Sequence, residues 1–341
     1  MSLAVTVLQD AIIELNANNT FNKFEGRSPE FGTFQAFKDG SDLLLPSEQV
    51  KALRTAARRP EKIYSLKRYT ATTHTTYTCD FNPDTNTSAF TPITWVTIGF
   101  DAAVTPAVNE DNYISASYDL KWQMEQGLRT VYSALEADAA TFLETNKSAT
   151  NDYPIETQIP GGTDTAGVQE LPYTNRQQIY QIMPAVFTRN LLTYGKITDV
   201  ANSEAVTNFQ FIQAQGAGNA VNTNYQVQPG IFDSYRSNFV GDVADATTME
   251  THFFFPRGSV GVYNWVPFEG RTNKRINEGE GWTTMIDPVM GMEWQVHWKY
   301  ACVDGQYAME FSYTGSFAFM RAYSSDNSVS PILKYEVAAA V

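Results

Sequence analysis

The chain has 341 residues, 43% of them hydrophobic, 13% aromatic and only 18% charged, with a net charge of −13. That length is enough for two or three compact units with a sizeable core. The acidic balance excludes a large phosphate-gripping surface and with it a sequence-reading nucleic-acid binder. No apolar run approaches the ~18 residues that cross a bilayer. The opening stretch MSLAVTVLQDAIIELNANN lacks the basic region and small-residue cleavage site of a secretory signal. The expectation is a product made soluble in a cytoplasm, without a membrane partner.

In chain order, Leu3, Val5, Leu8, Ile12, Ile13 and Leu15 fit a short amphipathic helix. From Asn16 to Asp42 the rings of Phe21, Phe24, Phe31, Phe34 and Phe37 are scattered among Gly, Asn and Ser with no sustained period. That texture suits an extended arm pinned on a surface, its own or a neighbour's, or an irregular loop. Pro46 to Gln49 opens a helix that ends before Pro60. Between residues 51 and 68, Lys51, Arg54, Arg58, Arg59, Lys62, Lys67 and Arg68 face only Glu61, a local reversal of the chain's charge. Two readings stand: a solvated basic face, or a surface that meets acidic groups on another copy, where charge sets register more than affinity. Lys51, Arg54, Arg58, Arg59, Lys67 and Arg68, with Phe21 and Phe24 of the arm, are therefore the candidates for a subunit interface. Residues 62–105 read as a long hairpin, KIYSLKRYTATTHTTYTCDF and SAFTPITWVTIGFDAAV around the turn NPDTNT. A lone ribbon is marginal in water, so it must lie on something else.

The longest helical pattern follows, Asn109 to Lys147, with no proline and only Gly127 to weaken it. Leu120, Met124, Leu128, Val131, Leu135, Ala139 and Phe142 recur at helical spacing, a buried stripe. Gln126, Arg129, Ser133, Glu136, Glu144 and Lys147 lie opposite and expect water or a polar partner, with Trp122 as the exception. Such a rod would be roughly 58 Å long. Ser148 to Tyr173 reads as a loop, Asn175 to Met183 as a helix ended or kinked by Pro184, YGKITDVAN as a strand, SEAVTNFQFIQAQ as a helix capped by Ser203, and NTNYQVQPG as a strand. THFFFPRGSVGVYNWVPF gives two strands broken at Pro256 to Ser259, and the remainder to the C-terminus is antiparallel strand. The alternation over about 175–300 suggests one mixed unit.

Groupings that carry chemistry are missing from this sequence. Cys79 and Cys302 show no CxxC spacing; two free, buried thiols or one disulfide are the alternatives. His74, His252 and His297 lack ligand partners three or four residues away and read as satisfied or surface imidazoles. Gly216 to Asn219 follows a helix and reads as its C-cap, and Glu278 and Glu280 lie in a loop. Met290, Met292 and Phe253 to Phe255 suit core or interface packing, or a ligand pocket. No cofactor, metal or catalytic set is expected.

The order of elements resembles the major capsid proteins of tailed bacteriophages, the Hong Kong 97-type fold. The ribbon from Lys62 to Val104 is similar to the family's extended loop, Asn109 to Lys147 to its spine helix, and SEAVTNFQFIQ and FFFPRGSVGVYNW to parts of its axial domain. The resemblance implies an α+β fold divided as follows: residues 1–60, arm and short basic helix; 61–106, extended hairpin loop; 107–174, first peripheral part with the spine helix; 175–300, axial domain; 301–341, second peripheral part. The spine core would be Leu120, Met124, Leu128, Val131, Leu135 and Phe142. It also implies a non-enzymatic shell protein whose partners are many copies of itself in pentamers and hexamers, with scaffolding, portal and decoration proteins. Packaged double-stranded DNA would be a partner by proximity only, in a virion assembled in a bacterial cytoplasm. Met1 stands close to the arm, so the expectation is a separate scaffolding protein or none, and no residue matches the crosslinking chemistry of some members. The rivals are an encapsulin shell, a double jelly-roll coat, and a monomeric carbohydrate-binding protein or hydrolase using Trp95, Trp265, Trp282, Trp294 and Trp298.

Overall fold

The computed structural model describes residues 3–18, 31–66, 88–111, 114–192, 195–208, 231–241, 247–303, 305–322 and 330–339. Helices α1 (Leu3–Asn18), α2 (Gly32–Leu44) and α3 (Ser47–Thr55) come first. Strands β1 (Lys62–Leu66), β2 (Ser88–Pro92) and β3 (Trp95–Val104) follow, then α4 (Pro106–Asp111) and α5 (Ala116–Thr145). Next are β4 (Thr163–Thr165), β5 (Val168–Leu171), α6 (Ile179–Arg189), β6 (Ile197–Ala201), β7 (Phe232–Arg236), β8 (Thr248–Pro256) and β9 (Val260–Trp265). A single helical turn at Phe268–Arg271 leads to β10 (Arg275–Asn277), β11 (Glu280–Ile286), β12 (Glu293–Val303), β13 (Gln306–Arg321) and β14 (Leu333–Ala338). The fold is α+β.

Two six-stranded sheets carry the chain. The first runs β10-β11-β12-β13-β3, all antiparallel, and the long β13 pairs in succession with β12 and then β9. The second is mixed, β4-β5-β14-β8-β6-β7. Helix α5 lies on the first sheet, and α1 and α2 pack on α5. Alternation along β8 sends Phe253 and Phe255 into this main core and Phe254 into a second one, where α6 covers the other sheet. Such burial on both faces explains the unbroken FFF run. These phenylalanines, with Met290 and Met292, are core.

The long helix begins at Ala116, seven residues later than the periodicity suggested. Ser115 caps it, its Oγ accepting from Tyr118 N at 3.2 Å, while Asn109 lies in the separate α4. With 30 residues the rod is about 45 Å long. Leu120, Met124, Leu128, Val131, Leu135 and Ala139 are fully or almost fully buried, and Phe142 is half-buried between Phe37 and Phe319. Each fully buried large apolar side chain contributes about 1.5–3 kcal/mol.

Other expectations are corrected. The stretch 31–42 is no extended arm: α2 is a helix, with Phe31, Phe34 and Phe37 at most 1% exposed. Its glycines hid it, because each costs a helix about 1 kcal/mol. Here they permit backbone contact: a Cβ on Gly32 would sit 1.9 Å from Arg236 O, and one on Gly40 2.4 Å from Val260 O. The predicted hairpin is split, since β2 pairs with β1 whereas β3 joins the first sheet beside β13; its NPDTNT turn lies outside the described residues. Residues 148–173 contain β4 and β5. Pro184 sits inside α6. Helical backbone occupies 205–208, and NTNYQVQPG and the 216–219 glycines lie outside the described residues. Strands β8 and β9 do not pair with each other; the Pro256 turn carries the chain from the second sheet to the first. Residues 301–341 are likewise divided, β13 in one sheet and β14 in the other. Cys302 is exposed rather than buried, and Cys79 lies outside the described residues.

Gly127 faces the first sheet, where a Cβ would lie 2.2 Å from the Phe100 ring. That ring is stacked on Tyr313 at 4.5 Å and 11°, so yielding to the new methyl disturbs the stack. Gly127→Ala gains about 1 kcal/mol of helix propensity against an overpacking cost of about 1–3 kcal/mol. The clash outweighs the gain, so urea unfolding should show a loss of about 1 kcal/mol; a stabilised variant contradicts this packing.

Candidate functional site

The described residues bring together no open catalytic constellation. They show a braced helix, a closed polar network and two exposed surfaces of opposite charge. On α5, Glu136 was expected to face water or a polar partner, and it is fully buried against the second of these, the start of α2. Its two carboxylate oxygens accept from the backbone N–H of Thr33 and of Phe34, both at 2.7 Å. These donors are the first turn of α2, which has no side-chain cap of its own. A carboxylate there satisfies orphan donors and meets the positive end of the helix dipole. Burial pushes Glu136 up, and hydrogen bonds from Ser237, Phe34 and Thr33 oppose that rise. One turn earlier, Tyr132 donates to Asp287 at 2.6 Å, and the same carboxylate accepts from Trp294 Nε1 at 3.1 Å and from the backbone N–H groups of Val289, Met290 and Met292. Burial and then Asp287 hold the Tyr132 phenol well above its usual range.

The second sheet encloses the polar network. His252 on β8 places Nδ1 3.0 Å from Asp199 on β6 and Nε2 3.3 Å from Glu250. Asp199 also accepts from Arg236 Nη1 at 3.0 Å and Tyr180 OH at 2.9 Å; Glu250 accepts from Asn208 at 3.0 Å and has Arg176 at 3.7 Å. His252, Asp199 and Glu250 are fully buried. Burial alone pushes Asp199 up, but Arg236 and His252 overcome it and hold the carboxyl at about 2. For His252 burial pushes down, and Asp199 and Glu250 override it, raising the imidazole above 6.5. Carboxylates beside both ring nitrogens favour the protonated ring. The groups are occupied by each other, so the arrangement ties three strands and α6 together. The other histidines differ: His297 stacks on Trp282 at 4.9 Å and meets Glu280 at 3.0 Å on a sheet face, and His74 lies outside the described residues.

Among the predicted interface residues, Lys51, Arg54, Arg58 and Arg59 are exposed on and after α3, and Arg59 donates to Thr97 at 2.9 Å. Lys67, Arg68, Phe21 and Phe24 lie outside the described residues. Sequence reasoning missed a second cationic segment. Arg271 donates to Ala56 O at 2.6 Å, beside the Trp265 indole at 3.0 Å, which brings exposed Lys274 and Arg275 toward α3. A separate cleft of about 540 Å³ lies between α5 and the second sheet, bridged by Lys334, which is 2.9 Å from Glu144 and 2.7 Å from Glu336.

No protein-family model and no curated protein matches this sequence. Solved structures do resemble it in outline. A chain from Mycobacterium phage Che8 aligns over 86% of this chain and 89% of its own, with a TM-score of 0.48 and 11% identity. The capsid of a native GTA particle aligns over 87% and 92%, with a TM-score of 0.45 and 9% identity. The capsid of Ralstonia phage GP4 aligns over 84% and 86%, with a TM-score of 0.41 and 9% identity.

The network dictates a pH profile. The folded value of Asp199 lies below the ordinary 3.8, so its stabilisation is complete above that value and is lost as pH falls toward 2. The folded value of His252 lies above the ordinary 6.5, so its stabilisation is complete below 6.5 and is lost as pH rises through the folded value. Melting temperature against pH should fall on both sides of a plateau. His252→Gln should lower the plateau and flatten the alkaline limb; an unchanged limb contradicts the assignment.

Proposed function

We propose that the chain is the major capsid protein of a tailed bacteriophage, a Hong Kong 97-type subunit whose pentamers and hexamers close into an icosahedral shell around double-stranded DNA. The observation that carries this reading is the 30-residue helix α5 laid along one broad sheet, with a second sheet beyond it and a two-stranded ribbon, β1-β2, that pairs with no third strand among the described residues. A ribbon of that kind needs a surface to lie on, and a neighbouring subunit supplies one. In this reading the first sheet with α5 is the peripheral domain, and the second sheet with α6 is the axial domain.

The role is structural. A net charge of −13 supports it, because an acidic lining lets packaged DNA slide where basic contacts would hold it. Scaffolding, portal and decoration proteins are the further partners that such a role brings, and the product is a virion assembled in the host cytoplasm.

Light scattering and negative-stain microscopy of the purified chain, alone and with a scaffolding protein, should show closed megadalton particles. A monodisperse monomer under all these conditions overturns the reading, and particles with protein cargo and no nucleic acid in infected cells would indicate a nanocompartment. Leu128→Pro, which removes a core side chain and a hydrogen bond in mid-helix, should abolish particles. Particles from that variant would mean that α5 is no brace.

A further inference from the structure

Two exposed surfaces of opposite charge lie at opposite ends of β3. At its start, Arg59 is bonded to Thr97 Oγ1 and the Trp95 indole donates to Pro60 O at 2.6 Å, which fixes the segment after α3 to the strand. Lys51, Arg54, Arg58 and Arg59 are exposed there. The Arg271 bond to Ala56 adds Lys274 and Arg275, which are also exposed. Residues 215 positions apart thus form one cationic platform, with Phe268 and Ile276 exposed on its second segment.

At the other end, Gln123 of α5 bonds both the N–H and the C=O of Ala103, and its amide also donates to Asp119. Glu14 of α1 accepts from Ser117 Oγ at 3.0 Å, so the acidic side of α1 joins the first turn of α5. Asp10, one helical turn before Glu14 on α1, and Glu110, near the end of α4, which packs on α5, are exposed. Tyr118 and Trp122, one turn apart on α5, are each 51% exposed, and Ile114 just before the cap is exposed too. The cation of that stretch, Lys121, is only 7% exposed: its ammonium lies over the Tyr118 ring at 5.5 Å and 3.9 Å from Glu125, which offsets it. The face is therefore acidic around an apolar centre.

The two surfaces cannot meet within one chain. From Thr97 to Ala103 is six strand residues, roughly 20 Å, about twice the ~10 Å over which salt screens exposed charges. We propose that copies associate head to tail, the cationic platform of one chain docking on the acidic, aromatic face at the N-terminal end of α5 of the next. Charge sets the register, while Tyr118 and Trp122 with Phe268 and Ile276 supply the desolvated centre that such an interface needs. Because the two patches differ, the contact is heterologous, and repetition of it closes into rings when the rotation allows. The inference deepens the capsid reading and rests on it for the ring, though the pairing of surfaces stands without a shell.

Charge reversal tests the pairing on the full-length chain. Arg54→Glu with Arg58→Glu, and separately Asp10→Lys with Glu110→Lys, change exposed residues only and should melt like the parent. Each pair should raise the protein concentration needed for assembly at low salt by at least about tenfold. The four changes together oppose the reversed charges again and should return assembly to within about threefold of the parent. Assembly that is indifferent to both reversals, or a correctly folded fourfold variant that stays dissociated, overturns the proposal. So does a parent chain that shifts duplex DNA through Arg54 and Arg58 while its assembly ignores them, because the platform is then a nucleic-acid surface. Shells insensitive to the reversals sink the pairing and leave the capsid reading intact. Small oligomers that the reversals dissolve, in a chain that never forms shells, do the opposite.

Discussion

The architecture depends on a carboxylate in the middle of a long helix. Glu136 is buried on α5 with both oxygens committed to the first N–H groups of α2. Without it α2 would present orphan donors to an apolar interior, at a cost of several kcal/mol. That bond sets where Phe34 and Phe37 enter the core, and those rings contact Tyr132, Phe142, Phe317 and Phe319 from α5 and β13. The glycines of α2 then let its backbone touch β7 and β9, one in each sheet. A single polar contact therefore fixes how α5 and both sheets meet α2.

The same contact explains what could be read in advance. The α5 stripe was legible because Leu120 to Ala139 obey a local period, but with no proline between Pro106 and Ser115 the start was drawn too early and the Ser115 cap was passed over. Helix α2 was illegible because its cap comes from a residue about a hundred positions away and its glycines serve neighbouring strands. The strand character of β8 and β9 was plain, whereas their membership of different sheets depends on partners elsewhere in the chain. Of the interface candidates, the basic residues of α3 were visible as a run, but Arg271 to Arg275 joins them only through Ala56. No local signal announces a carboxylate that turns inward: Glu136 reads like any residue on a polar helix face.

Charge has two distinct uses in this molecule. Inside, His252, Asp199, Glu250, Arg236 and Arg176 are drawn into one closed set where desolvation is offset by pairing, a construction that fails when one member is removed. Outside, the cations after α3 and the carboxylates around α5 stand apart and remain hydrated. The first kind holds strands in place; the second has value only when another surface arrives.

Strand β14 lies between β5 and β8, in the middle of the second sheet. During synthesis the ribosome delivers that strand after every other described strand of the sheet. Until residue 338 has left the exit tunnel, the sheet is two separate pieces, β4-β5 and β8-β6-β7, with their inner edges open. Such edges invite pairing with other chains, so a nascent polypeptide is at once unfinished and adhesive. Chains in which β14 has not yet been added are thus where mispairing competes with proper completion.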